Sequence, residues 1–373
     1  MKIGIAGYGK MGKDIFSLLF DALEGEFVVL ETAGTPEEHS AALVKSLDKQ
    51  LRRKRLTEEQ YNAKRSAFRF TQDIADFAGC DAVLEAVTEN LALKQDLFAK
   101  IAQVVSENCL LLTNTSSLPI AEVFAGIPRT ERCLGMHFFY PVKLAEFVEL
   151  NLLPENTEEV RNAAAKLVSD FGRRSIPFQG DYHIYLNQIL SCMISHGIYL
   201  RDYFRVSVPA LSKALGGIFP VAGVFELIDS IGLGLMAANQ TRFRLQRNQA
   251  LLQYGCDAMN AWLEAGCAPE TRCFSDFIAS HETYPDADCP DAPVYMAALI
   301  LNETAHALDE SGCDVQTLQD AVYHTLGISR PLPGLYREYG ADALFAALEQ
   351  LYAKTGFPSY QPADRALWER YFA

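Results

Sequence analysis

A chain of 373 residues, 49% apolar and 21% charged, has the material of a globular protein with two or three cores. Its formal net charge of −14 argues against a nucleic-acid partner, because phosphate would be repelled over most of the surface. No apolar run approaches the ~18 residues of a membrane span. Nine cysteines without a C-x-x-C pair point to reduced thiols rather than a disulfide frame or a zinc site. MKIGIAGYG leaves no room for a targeting leader, so a cytoplasmic location, with no membrane partner, is expected.

Residues 1 to 6 read as an apolar strand, followed at once by GYGKMG and then by the helical periodicity of DIFSLLFDAL. That is G-x-G-x-x-G between a strand and a helix. Gly7, Gly9 and Gly12 allow a tight turn and close approach of backbone to a pyrophosphate seated on the helix N-terminus. A second strand, FVVLE, ends in Glu31, where a carboxylate would hydrogen-bond an adenosine ribose and repel a 2′-phosphate, so NAD is expected over NADP. A polar helical pair, residues 37 to 68, follows. Its second member opens on a Thr57–Gln60 capping box, and it contains the basic run KQLRRKRL, either a solvated face or a clamp for an anionic handle.

The alternation then resumes. CDAVLEAV is a buried strand, ENLALKQDLFAKIAQVV a helix, CLLLTNTSS a strand, LPIAEVFAGI a short helix and CLGMHFFYPV a further strand, with RRSIPF as the last. Strands alternating with helices imply a Rossmann-type, doubly wound parallel sheet whose ligands bind beyond the carboxyl ends of the strands. Glu89, Ser116 and His137 are expected just past such ends.

From about residue 181 only helical periodicities remain, so an all-α part follows the α/β part. HETYPDADCPDAP, rich in Pro, Asp and Cys, reads as a linker dividing it. Each half carries a long helix, then "ALGGIFPVAGVFELID" with a "GLGLM" helix, or "HTLGISRPLPGLYREYG" with "ADALFAALEQL". This is a degenerate internal repeat. The expected division is a dinucleotide-binding domain at 1–180 and helical domains at 181–285 and 286–373.

GMHFFYPVKLAEFVE sets His137 at the head of an apolar stretch and Glu149 at its far end. From the residues alone this is either an acid/base pair or a core histidine with a surface glutamate. GYGKMG, EAVTENLALKQDLF, TNTSSLPI, GMHFFYPVKLAEFVE, PVAGVFELIDSIGL and, as a second helical copy, GISRPLPGLYREYG together resemble the 3-hydroxyacyl-CoA dehydrogenase family, especially the dehydrogenase portion of the multifunctional fatty-acid oxidation proteins. The resemblance covers nearly the whole chain.

It implies that His137 and Glu149 form the catalytic acid/base pair, with Ser116 on the substrate hydroxyl and Asn187 on the thioester oxygen. Glu89 and Lys94 would face the nicotinamide ribose. Lys10, Met11, Val87 and Asn114 join Gly7, Gly9, Gly12 and Glu31 in the expected cofactor set. The blander readings are a strand-end cap for Ser116 and Glu89, a solvent-facing helix residue for Lys94 and a helix-surface amide for Asn187. The chain departs from the family pattern at Tyr140, Tyr182, His183, Ile184 and Gln188, which bears on the fit of the acyl chain.

The implied activity interconverts a 3-hydroxyacyl and a 3-oxoacyl thioester of coenzyme A, or of a carrier protein in a biosynthetic pathway. A lysine-based hydroxyacid dehydrogenase finds no central lysine here, and a catalytically silent NAD-binding protein would be marked by a broken His–Glu pair. Glu303 and His306 share an E-x-x-H spacing without partner motifs, so an ordinary helix face, and no metal, is expected. In single-repeat members of the family the helical domain pairs two chains; here the second copy would take the partner's place, so a monomer or weak homodimer is expected.

Overall fold

KIGIA forms β1 (Lys2–Ala6), an interior strand of the α/β unit in the computed structural model, which describes residues 1–179, 185–240 and 247–373. The chain divides into two compact units, 1–184 and 185–373.

In the first unit α1 (Lys10–Ala22) buries Ile15, Phe16, Leu18, Leu19 and Phe20 on one stripe, at helical spacing, against the sheet. Full burial of each such side chain contributes about 1.5–3 kcal/mol. β2 (Glu26–Leu30) follows, then α2 (Pro36–Arg52) and α3 (Glu58–Ser66), each opened by a reciprocal capping box, Thr35 with Glu38 and Thr57 with Gln60. β3 (Phe68–Thr71), a strand not anticipated from its four residues, completes the edge. β4 (Ala82–Glu85), α4 (Leu91–Ile101), β5 (Leu110–Thr113), α5 (Ile120–Val123), β6 (Cys133–Phe138), β7 (Phe147–Leu152), α6 (Glu158–Asp170) and β8 (Arg174–Gln179) succeed them.

The eight strands lie in the order β3-β2-β1-β4-β5-β6-β7-β8. Strands β1, β4 and β5 are buried on both faces because helices cover both: one core includes Phe16, Phe20, Phe27 and Leu112, the other Phe77, Phe98, Leu111 and Phe124. The order reverses between β1 and β4, and the crevice at their carboxyl ends is where an open α/β sheet binds ligands. The sheet is mostly parallel, as expected, with one departure: β7 runs antiparallel to β6. The short return through Pro141 and Val142 is a hairpin-like connection, too short for the helical crossover that a parallel neighbour needs. All nine cysteines are free, and burial pushes the Cys109 and Cys133 thiols up to about 12.

The second unit is helical. α7 (Tyr185–Phe204) is followed by α8 (Val208–Leu215), α9 (Val224–Ile231), α10 (Leu233–Gln240), α11 (Gln249–Glu264), α12 (Phe274–His281), α13 (Ala292–Ser311), α14 (Val315–Thr325), α15 (Leu332–Tyr339), α16 (Ala341–Thr355) and α17 (Arg365–Phe372). One succession occurs twice: a long helix (α7, α13), a shorter one (α8, α14), an eight-residue helix (α9, α15), and a glycine at positive φ that turns the chain into the next helix (Gly232, Gly340). α13 packs on both α7 and α8, so the two halves share one core.

The segment expected as a linker is tied into that core. Ser207 donates its amide to Pro285 O and its hydroxyl to Asp286, and Arg201 pairs with Glu282. Glu303 and His306 lie on α13, where Glu303 is buried and accepts from Asn248 Nδ2 at 2.9 Å and Arg247 Nη2 at 3.3 Å.

Candidate active site

The glycine turn is built as its sequence implies. Gly7 has φ +99°, in the left-handed region where a side chain is strained, and its amide donates to Leu30 O at 2.9 Å. A Cβ at Gly12 would lie 2.1 Å from Gly7 O, so only glycine lets α1 approach the turn this closely. A Cβ at Gly9 would meet nothing within 4 Å, so that side of the turn is open.

The N-terminus of α1 carries neither a side-chain cap nor an acidic first-turn residue, whereas α2, α3, α4 and α6 are all capped by Thr or Asn side chains. Its orphan amides and positive dipole end suit an anionic diphosphate. Lys10 and Met11 form its first turn, with the Lys10 ammonium 4.0 Å from the centre of the exposed Tyr140 ring. Glu31 stands at the end of β2, where Oε2 accepts from Tyr8 N at 2.7 Å and Oε1 from Ala33 N at 2.8 Å. The residues present therefore fit a dinucleotide: open backbone for the diphosphate and a carboxylate at the adjoining strand end.

At the ends of β4 and β5, Glu89 gathers the next loop. Its Oε1 accepts from Thr115 Oγ1 (2.6 Å), Ser116 N (3.0 Å), Ser117 N (3.1 Å) and Ser117 Oγ (2.9 Å), and its Oε2 lies 3.2 Å from Lys94 Nζ. Burial works to raise the Glu89 carboxyl, but the Lys94 charge and the Thr115 and Ser117 hydroxyls outweigh it and hold the carboxyl below the usual range. Lys94 is not a solvent-facing helix residue; it is buried between Glu89 and Glu85. Asn114 Oδ1 accepts from Phe138 N at 2.9 Å, tying the end of β5 to the strand that carries His137. Val87 packs against Gly7.

His137 lies within β6, as its penultimate residue, rather than past its end. The antiparallel register sets it directly opposite Glu149 in β7, and Nδ1 lies 2.9 Å from Glu149 Oε2. Both side chains are buried, with Phe139 edge-on to the imidazole at 4.9 Å. A carboxylate on Nδ1 makes that nitrogen the donor and leaves the Nε2 lone pair free to accept a proton.

Ser116 is half-buried in the loop held by Glu89, and Asn187 is half-buried in the first turn of α7 in the second unit. Gln188 is buried beside it, while Tyr182, His183 and Ile184 lie outside the described residues. Sequence reasoning missed Glu85, whose signal was a lone carboxylate closing the apolar run Ala82–Leu84, and it missed the holding role of Thr113 and Thr115.

A glycine turn of the dinucleotide-binding kind at the switch point of a doubly wound sheet, in a chain with a second, helical unit, defines the class: a dinucleotide-binding α/β protein with a helical domain. Residues 2–182 match the family model for the NAD-binding domain of 3-hydroxyacyl-CoA dehydrogenase. A 3-hydroxybutyryl-CoA dehydrogenase of Bradyrhizobium diazoefficiens is 31% identical over 237 residues, 62% of this chain and 80% of that protein. Among solved structures, the (S)-3-hydroxybutyryl-CoA dehydrogenase of Ralstonia eutropha matches with TM-score 0.63 and 26% identity, covering 72% of this chain and 95% of that one. A 3-hydroxybutyryl-CoA dehydrogenase of Escherichia coli K12 shares the fold along the whole length, with TM-score 0.80 and 18% identity over 99% of this chain and 98% of that one. The chain belongs to the 3-hydroxyacyl-CoA dehydrogenase family.

Proposed function

We propose that this protein interconverts a 3-hydroxyacyl thioester of coenzyme A and its 3-oxoacyl counterpart, with His137 and Glu149 as the acid/base pair. The observation that carries the reading is the buried 2.9 Å contact of His137 Nδ1 with Glu149, across a strand register that fixes both residues. His137 Nε2 takes the proton of the 3-hydroxyl in oxidation and returns it in reduction. Glu149 fixes the tautomer and stabilises the imidazolium, as the carboxylate does in hydrolase triads. Bound NAD supplies the hydride acceptor for C3. Ser116 positions the substrate hydroxyl and Asn187 the thioester oxygen, while Gly7, Gly9, Gly12, Lys10, Met11, Val87, Asn114, Glu89 and Lys94 hold the cofactor. NADH oxidation on mixing the protein with acetoacetyl-CoA tests the reading; no turnover on any acyl-CoA, with turnover on carrier-protein thioesters, would replace coenzyme A by the carrier.

Glu31 is the proposed discriminator of cofactors. The Glu31→Ala variant is expected to raise kcat/KM for NADP relative to NAD by about tenfold, since a unit charge is removed from the place of the 2′-phosphate. Equal use of both cofactors by the wild type would count against the assignment.

The basic run is the proposed grip on the anionic handle. Lys49, Arg52, Arg53, Lys54 and Arg55 are all exposed, and none is in a salt bridge among the described residues. Each exposed pair contributes only about 0.2–1 kcal/mol, so replacing Arg52, Arg53 and Lys54 by Ala should raise KM for the thioester by about threefold or more. The salt dependence of that KM should flatten, with KM for NADH unmoved. An unchanged thioester KM would make the run a solvated face.

The protein is further proposed to be a monomer or weak dimer. Leu299, Leu301, Leu308, Leu344 and Leu348 are all buried within the chain, where α13 packs on α7, α8 and α16. An intramolecular partner has an effective concentration of roughly millimolar. Light scattering at micromolar protein should give the monomer mass; a stable dimer built on both helical halves would refute this.

A further inference from the structure

Beneath the Ser116 loop, the side chains of Glu85, Lys94 and Glu89 form a row. Glu85, fully buried, closes β4: Oε1 accepts from Val87 N and Lys94 Nζ, both at 2.6 Å, and Oε2 accepts from Thr113 Oγ1 at 2.6 Å. Lys94, equally hidden, bridges to Glu89, whose side chain is 21% exposed. Two carboxylates share one ammonium, so the row carries a net charge of −1.

That charge is placed where it can act on a ligand. Ala86 O and the Val87 side chain, directly after Glu85, are the atoms a Cβ at Gly7 would strike, so the row abuts the glycine turn at the switch point. A neutral amide could still accept from Val87 N through its oxygen and donate through its NH2 to the Thr113 hydroxyl, which can act as acceptor. What Glu85 adds is the second negative charge, and it adds it in a desolvated position, where charge is screened least. Burying that carboxylate against a single shared lysine costs stability that an apolar replacement would not.

We propose that Glu85, acting through Lys94, is a positioning residue that sets the net charge of this cluster and so favours the oxidised cofactor, whose nicotinamide ring is cationic, over the reduced one, whose ring is neutral. The inference rests on the reading that Glu89 and Lys94 lie beside the nicotinamide riboside. A unit charge acting over on the order of 10 Å at an effective dielectric of ~20 changes the binding of a cation by about tenfold. Glu85→Gln removes that charge from the row and leaves Lys94 paired with Glu89.

The experiment is calorimetric titration of the full chain with NAD+ and with NADH, read as the ratio of their Kd values. In Glu85→Gln the ratio Kd(NAD+)/Kd(NADH) should rise by about tenfold. Glu85→Asp, which keeps the charge, should restore it toward wild type, and Thr113→Val, which removes only a hydrogen bond, should leave it unmoved. Glu89→Gln should move it in the same direction as Glu85→Gln, and it carries the test alone if Glu85→Gln does not fold. Equal weakening of both cofactor forms would overturn the proposal and leave the cofactor site standing. Wild-type binding of both forms in both Gln variants would overturn the location of the site, and the proposal with it.

Discussion

His137→Gln is expected to lower turnover by on the order of 10²–10⁴ while leaving NADH affinity near wild type, since loss of a positioned acid/base group costs that much and the ring is proposed to touch substrate rather than cofactor. Glutamine keeps a hydrogen-bonding group toward Glu149 but has no lone pair that binds a proton near neutral pH. Glu149 would remain partnered in its fully buried position, so the fold should survive the change. Glu149→Gln separates the two roles of the pair. An amide in place of the carboxylate no longer enforces Nδ1 as the donor or stabilises the charged ring, so turnover should fall while NADH affinity stays near wild type. Steady-state rates over pH 6 to 9, with cofactor binding measured separately, check both. Near-wild-type turnover in His137→Gln would remove the pair from the mechanism.

What could be read from the residues, and what could not, follows from the range of the interactions. GYGKMG was legible because a turn at positive φ and a close helix approach each demand glycine at one position, and the structure meets both demands at Gly7 and Gly12. The Thr57–Gln60 box was legible for the same local reason. The reversal at β7 was not, because FVELNL mixes buried polar and apolar residues, and a six-residue buried stretch says nothing about strand direction. β3 escaped because four residues directly after a helix carry too little periodicity. The bland alternative for Lys94, a solvent-facing helix residue, fails because its burial comes from Glu85, nine positions earlier and across the β4–α4 turn, a pairing no helical pattern reveals. Proline and aspartate made residues 281–293 look like a linker, whereas Arg201 and Ser207, some eighty positions away, hold the segment in place.

The helical unit is expected to lose stability in acid, and His196 is the principal cause. Its ring is fully buried, with Nδ1 2.9 Å from Tyr360 Oη and Nε2 3.2 Å from Tyr295 O. A neutral imidazole satisfies both: Nε2–H donates to the carbonyl and Nδ1 accepts from the phenol, so no second proton is needed. Burial lowers the ring to about 3 against an ordinary 6.5, with the Tyr295 carbonyl opposing only in part. His306 is likewise lowered to about 4, by burial and by the Arg247 charge. The sign follows from which state binds the proton. Below pH 6.5 the unfolded chain protonates His196 while the native state resists until about pH 3, so stability is complete above 6.5 and falls with pH across that window. One proton taken up only on unfolding costs about 1.4 kcal/mol per pH unit, so from pH 6.5 to pH 5 His196 alone should remove roughly 2 kcal/mol. Trp262 and Trp368, the chain's two tryptophans, both lie in this unit, so their fluorescence follows its unfolding. Urea midpoints at pH 7 and pH 5 should differ accordingly, and His196→Gln should narrow the gap by the share of one proton whatever its stability at pH 7. An unchanged gap in that variant would show that the acid sensitivity of this unit comes from other groups.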